Sequence, residues 1–178
     1  MRTWIALFRG INISGHNILP MAALREALVS LGCVNVRTYI QSGNAVFESA
    51  ARSAASIGNK LGALIERQHG FLPRLLLLSP TELSQALAAN PFPAAASDPS
   101  RLHFYFLTES AGNPNMAALA AIATPTESYE LKDRVFYLHA PDGIGRSKLA
   151  ANVERHLGVA VTARNHRTVQ KLVTMAAH

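Results

Sequence analysis

Arg9, Asn12, Gln41, Ser42 and Asn44 are the residues of this chain best suited to recognising a polar, negatively charged ligand. An arginine offers a planar fork of N–H donors, and amide and hydroxyl side chains surround it with further donors and acceptors. The first two lie in Arg9-Gly10-Ile11-Asn12-Ile13-Ser14-Gly15-His16-Asn17 and the others in Gln41-Ser42-Gly43-Asn44, two segments of loop composition. The plain alternative is that Asn12, Ser42 and Asn44 satisfy turn backbones while Gly10 and Gly43 supply positive φ. Gly10 and Gly15 have a G-x-x-x-x-G spacing, but His16 and Asn17 stand where a phosphate loop needs lysine and a Mg²⁺-holding Ser/Thr. Nucleotide hydrolysis is therefore not expected.

A secondary anion site is expected at Arg146, Ser147 and Lys148, where Asp142-Gly143-Ile144-Gly145 leads into a predicted helix. Free N–H groups, the helix dipole and two cations suit a phosphate or carboxylate there. The competing reading makes the segment a glycine turn with Ser147 or Asp142 as the cap. Arg164, Thr168 and Lys171 share a face of the predicted terminal helix at i, i+4 and i+7, with Arg167 beside them. Such a basic ridge suits nucleic-acid phosphates, although a solvated helix surface has the same pattern. Phe104 and Phe106 read as core, and Tyr105 and Tyr137 are too few to make a base-stacking platform.

Other chemistries find less support. The seven histidines are scattered without H-E-x-x-H spacing, so neither a metal nor another cofactor is expected. The lone Cys33 reads as a small buried side chain. An enzyme acting on a phosphorylated or carboxylated metabolite would use His16 or His139 as proton carrier and Arg9 or Lys148 as substrate clamp. That reading requires these groups to share one pocket. A third reading, self-association through exposed sheet surface, leaves the oligomeric state open. The first of the three, a binding module for an anionic small molecule or a nucleic-acid backbone, is the expectation the residues favour.

The 178 residues are 49% hydrophobic and 16% charged, the composition of a folded globular chain. The net charge of +6 is uneven: residues 1 to 79 carry eight Arg/Lys against three Glu, and residues 80 to 178 carry nine against eight acidic residues. A basic surface attracts anions through its long-range field without naming one. No apolar run approaches the ~18 residues that span a bilayer, and Arg9 follows the opening apolar run too soon for a signal peptide. A cytoplasmic protein with no membrane contact is expected.

These residues must be positioned by elements that the hydrophobic pattern indicates. Residues 3 to 8 read as a strand. Met21, Leu24, Leu28 and Leu31 mark a helix face, and Val34 to Ile40 and Ala45 to Glu48 read as two strands. Ile57, Leu61, Leu64 and Ile65 mark a second helix, and Leu75 to Leu78 a buried strand. Ser79-Pro80-Thr81-Glu82 is a capping box that opens a helix ended by Pro91. The same order returns beyond residue 100: a strand at Leu102 to Leu107, a helix after Asn113-Pro114, a hairpin from Ser128 to His139, a helix through Leu149, Val153 and Leu157, a short strand at Val159 to Thr162 and a terminal helix. The expected fold is α+β, two tandem ferredoxin-like βαββαβ units (1–79 and 101–178) joined by a helix and Pro-rich linker (80–100) and closed by a C-terminal helix. One continuous α+β sheet is the alternative.

Arg9-Gly10-Ile11-Asn12-Ile13-Ser14-Gly15-His16-Asn17 with Pro20-Met21-Ala22-Ala23-Leu24-Arg25 resembles the opening signature of domain of unknown function family 1697. Thr38 to Phe47, Asn90-Pro91-Phe92, Pro141-Asp142-Gly143 with Ser147-Lys148-Leu149, and Thr162-Ala163-Arg164-Asn165 with Thr168-Val169 and Lys171-Leu172 resemble its later blocks, in order, along the whole chain. The resemblance implies bacterial cytoplasmic proteins of mixed α and β structure, and brings no substrate, cofactor or catalytic residue with it. His16 and His166 stand where that pattern often shows lysine and tryptophan.

Overall fold

A computed structural model of the chain describes residues 1–177. Its first unit runs β1 (Arg2–Arg9), α1 (Met21–Ser30), β2 (Val34–Tyr39), β3 (Asn44–Ser49), α2 (Ala54–His69) and β4 (Arg74–Leu78). The strands form an antiparallel four-stranded sheet in the order β2-β3-β1-β4. Because strand side chains alternate between faces, Trp4, Ala6 and Phe8 of β1 meet Ala45 and Phe47 of β3 on one side. Leu24 and Leu28 of α1 and Ile57, Leu61 and Ile65 of α2 pack onto that side. Ile5, Leu7 and Arg9 project from the opposite face. All five residues from Trp4 to Phe8 are buried, which is why β1 reads as an unbroken apolar run. Cys33 is buried in this core, and burial pushes its thiol pKa up.

Local chemistry sets the ends of the elements. Ser53 caps α2 by accepting from the Ser56 N–H (3.1 Å), and Gly70 ends it in the left-handed conformation. The capping box forms at α3 (Pro80–Ala88): Ser79 Oγ accepts from Glu82 N–H at 3.2 Å and Glu82 Oε2 accepts from Ser79 N–H at 2.8 Å. At the edge of the sheet, β2 is interrupted between Val34 and Arg37, with Asn35 at φ 53°. Such an irregularity blunts an edge that would otherwise invite pairing.

The second unit opens with a 3₁₀ turn (Pro93–Ser97) and continues through β5 (Leu102–Leu107), α4 (Met116–Ile122), β6 (Ser128–Lys132), β7 (Val135–His139), α5 (Lys148–Leu157) and β8 (Val161–Asn165), followed by α6 (His166–Ala176). Its antiparallel sheet has the order β6-β7-β5-β8. Tyr105, Leu107, Phe136 and Leu138 pack with Leu119 of α4 and Leu149, Val153 and Leu157 of α5. The chain thus makes two four-stranded sheets and not one continuous sheet. Among the described residues no helix is long and apolar enough to cross a membrane.

The compact units are Met1–Ser84 together with the chain from Lys171 onward, and Gln85–Gln170. The expected division ended the first unit at residue 79 and kept the terminal helix wholly with the second. In the fold the end of α6 rejoins the first unit, where Arg37 Nη2 donates to the Met175 carbonyl at 2.7 Å. Periodicity reports that a helix exists, not which sheet it returns to.

Candidate functional site

The loop after β1 and the turn between β2 and β3 leave the same end of the first sheet, and one side chain ties them together. Asn12 Nδ2 donates to the Leu19 and Gln41 carbonyls, both at 2.9 Å, while its Oδ1 accepts from Leu19 N–H at 2.8 Å. Asn17 Nδ2 donates to the Gly10 carbonyl at 3.0 Å, and His16 N–H donates to the Ile13 carbonyl at 2.9 Å around Ser14 and Gly15, both at positive φ. Across the gap, fully buried Asn44 donates to the Tyr39 carbonyl (2.9 Å) and to Ser42 Oγ (3.2 Å). Gly43 has φ 85°, and a Cβ there would lie 2.5 Å from Ile11 Cδ1 and 2.6 Å from Phe8 Cβ. The turn forces even β-branched Ile40 to φ 49°. Asn12 thus spends its amide on the backbone and Asn44 on the backbone and the Ser42 hydroxyl, while Gln41 meets Asn12 through its main-chain carbonyl and its side chain is exposed.

Arg9 ends β1 half-buried, directly opposite the exposed Arg74 of β4. On its other side, Phe8 N–H donates to the Gly43 carbonyl at 2.8 Å, and the register that pairs Leu7 with Asn44 carries Arg9 into line with Ser42. Ser42, Arg9 and Arg74 thus follow one another across the end of the sheet. Arg37 and Tyr39, paired with Val46 and Asn44, lie on the same face. Two guanidiniums placed opposite each other repel unless an anion or another acceptor lies near them, and each offers several donors for one. Arg74 is the member that the sequence reading missed. Its signal was the apolar strand it opens, but only the β1–β4 register identifies its neighbour.

At the segment expected to form a secondary anion site, Ser147 and Asp142 bond within the chain. Ser147 is buried, accepts from Ala150 N–H at 2.9 Å as the cap of α5 and donates its own proton to Glu127 Oε1. A carboxylate of the chain therefore already stands at this helix N-terminus, where the dipole favours negative charge. Asp142 accepts from Thr126 Oγ at 2.7 Å, and Arg146 and Lys148 are exposed on either side of Ser147.

The basic ridge of the terminal helix requires a correction. Arg164 belongs to β8, opposite Phe104, and is only 9% exposed. Burial lowers its pKa to about 10, and Nη1 donates to the Ala163 carbonyl at 2.8 Å. Thr168 is buried as well, and its N–H donates to Asn165 Oδ1 at 2.9 Å. Strand passes into helix without a loop, so the i, i+4, i+7 spacing counted from Arg164 spans two elements. Arg167 and Lys171 are exposed. Phe104 and Phe106 are core, as expected, and so is Tyr105.

His16 is exposed on its loop. His139 lines an open groove with Pro91, Phe92 and Asp98, a lining that includes neither Arg9 nor Lys148. Among the described residues no group of three or more His, Cys, Asp or Glu is placed to hold a metal ion.

A family described as a protein of unknown function (DUF1697) matches residues 1–137; the motif blocks at 141–149 and 162–172 lie outside that match. A solved structure, the conserved bacterial protein SP0830 from Streptococcus pneumoniae, is similar at 28% identity over 98% of both chains, with a TM-score of 0.72. No curated protein matches the chain.

Proposed function

Given that the chain belongs to the DUF1697 family, whose description assigns no activity, we propose that it is a binding module for an anionic ligand, a phosphorylated small molecule, at the end of its first sheet. The observation that carries this reading is Arg9 standing opposite Arg74, with the Gln41–Gly43 turn on the other side of Arg9. Arginine pairs of this kind suit phosphate oxygens, which accept several charge-assisted bonds at once. Asn12 and Asn44 serve the site by holding the loop and turn, not by touching ligand. We read each unit as ferredoxin-like, on the support of its βαββαβ order and of a first strand flanked by the third and fourth. We place the protein in the cytoplasm on its composition and its one unpaired, buried cysteine.

A thermal-shift screen with pyrophosphate, nucleotides, sugar phosphates and short oligonucleotides tests the proposal. A phosphorylated small molecule should raise Tm in proportion to the logarithm of its concentration above Kd, and added salt should weaken the effect. Stabilisation by oligonucleotides alone would move the function to nucleic-acid binding. A screen in which nothing raises Tm would remove the proposal.

A further inference from the structure

The groove in the second unit has a chemistry opposite to that of the Arg9 site. Pro91, Phe92 and Pro93 form its apolar wall, Asp98 and His139 its polar groups, and its volume is about 420 Å³. Small-molecule sites commonly enclose roughly 300 to 1,000 Å³. The wall is built by the sequence around it. Asn90 Oδ1 accepts from Phe92 N–H at 3.0 Å, and the Phe92 carbonyl accepts from Ala95 N–H at 3.0 Å, which starts the 3₁₀ turn. Prolines on both sides of Phe92 fix φ and limit the ways in which the segment can move.

Asp98 closes this turn. Its Oδ1 accepts from Ser100 Oγ at 2.7 Å, and its Oδ2 lies 3.8 Å from Arg101 Nε in an exposed pair. The Ser100 hydroxyl holds the Asp98 carboxyl below the usual carboxylate range, so it is charged at neutral pH. An exposed pair of this length contributes little, and a carboxylate has acceptor sites to spare. Among the residues that line the groove Asp98 carries the charge, while the guanidiniums of Arg101 and Arg167 act on its carboxylate from outside the lining. The unit as a whole is close to neutral, with eight Arg/Lys against seven Asp/Glu in residues 85–170.

We infer that this groove binds a small organic cation, an ammonium group carried on an apolar body. The body lies against Pro91, Phe92 and Pro93, and the ammonium group meets the Asp98 carboxylate. The face of Phe92 adds an attraction that a cation gains and an anion does not. In direct contact, Asp98 at the groove's polar end favours a cation over a phosphate or carboxylate, the opposite preference to that proposed for the first-sheet site.

The test uses the whole protein and three probes of one shape: 2-phenylethylamine, 2-phenylethanol and phenylacetate, followed by ¹H–¹⁵N NMR titration. The amine should move the amide resonances of Phe92, Ala95, Asp98 and His139 and bind about fivefold more tightly than the alcohol, with phenylacetate weakest. Asp98→Asn keeps an acceptor for Ser100, so the fold is preserved, and it should erase the preference for the amine while leaving the alcohol unchanged. Equal binding of amine and phenylacetate, resonance changes confined to other segments, no changes at all, or an amine preference that survives Asp98→Asn would each overturn the inference.

Discussion

Asn12 makes three hydrogen bonds with one side chain, two within its own loop and one to the neighbouring turn. Asn12→Ala leaves the Leu19 N–H and two carbonyls without their partner, so the expected loss is about 1–3 kcal/mol. Gln41→Ala, which keeps the backbone carbonyl that Asn12 uses, should stay within about 0.5 kcal/mol of the wild type. Denaturant unfolding followed through Trp4, the single tryptophan and a member of the first core, separates the two. A second effect at this scale depends on pH. His103 and His166 are buried with Nδ1 lacking a partner, and desolvation holds both imidazoles below the ordinary pKa, opposed in part at His103 by a hydrogen bond to the Arg101 backbone. The fold therefore prefers them neutral. Their contribution is complete above the unfolded value of about 6.5 and is lost as pH falls below it. Stability should drop between about pH 7 and pH 5, and His103→Leu should flatten that slope in urea titrations at several pH values.

Elements were legible in the sequence wherever a local rule fixed them. The capping box at Ser79 and Glu82, the left-handed glycines at Gly70 and Gly158, and the largely apolar run from Leu102 to Leu107, buried throughout, all have short-range causes. The junction of β8 and α6 was not legible, because Asn165 ends a strand and supplies the side-chain acceptor for the next helix at the same position. A helical count begun two residues early then placed buried Arg164 on a surface. The site was legible in part: the two polar segments do meet, but their asparagines are structural, and Arg74 enters only through strand register. The Asp142–Lys148 segment was read both as an anion site and as a capped turn, and the Glu127 carboxylate at Ser147 favours the second. Ser147→Ala should cost about 1–2 kcal/mol by removing the cap of α5. Inorganic phosphate should not restore that loss; recovery of the thermal midpoint with phosphate would show the helix end to be an anion site after all.

The whole molecule divides its charge unequally. Residues 1–84 with 171–178 hold nine Arg/Lys against four Glu, and residues 85–170 are near balance. The anionic ligand proposed for the first unit would be drawn there by this field, and its affinity should fall as salt screens it. The field alone would make every exposed arginine of the unit equivalent, whereas the proposed site makes Arg9 and Arg74 special. Calorimetric titration of pyrophosphate into wild type, Arg9→Ala, Arg74→Ala and the remote control Arg67→Ala separates the two. Arg74→Ala is the decisive variant, because Arg74 is exposed and its loss should leave stability within about 0.5 kcal/mol of the wild type. We expect pyrophosphate affinity to fall about tenfold in Arg74→Ala and in Arg9→Ala, with Arg67→Ala close to wild type. Wild-type affinity in Arg74→Ala, or an equal loss in Arg67→Ala, would contradict the site.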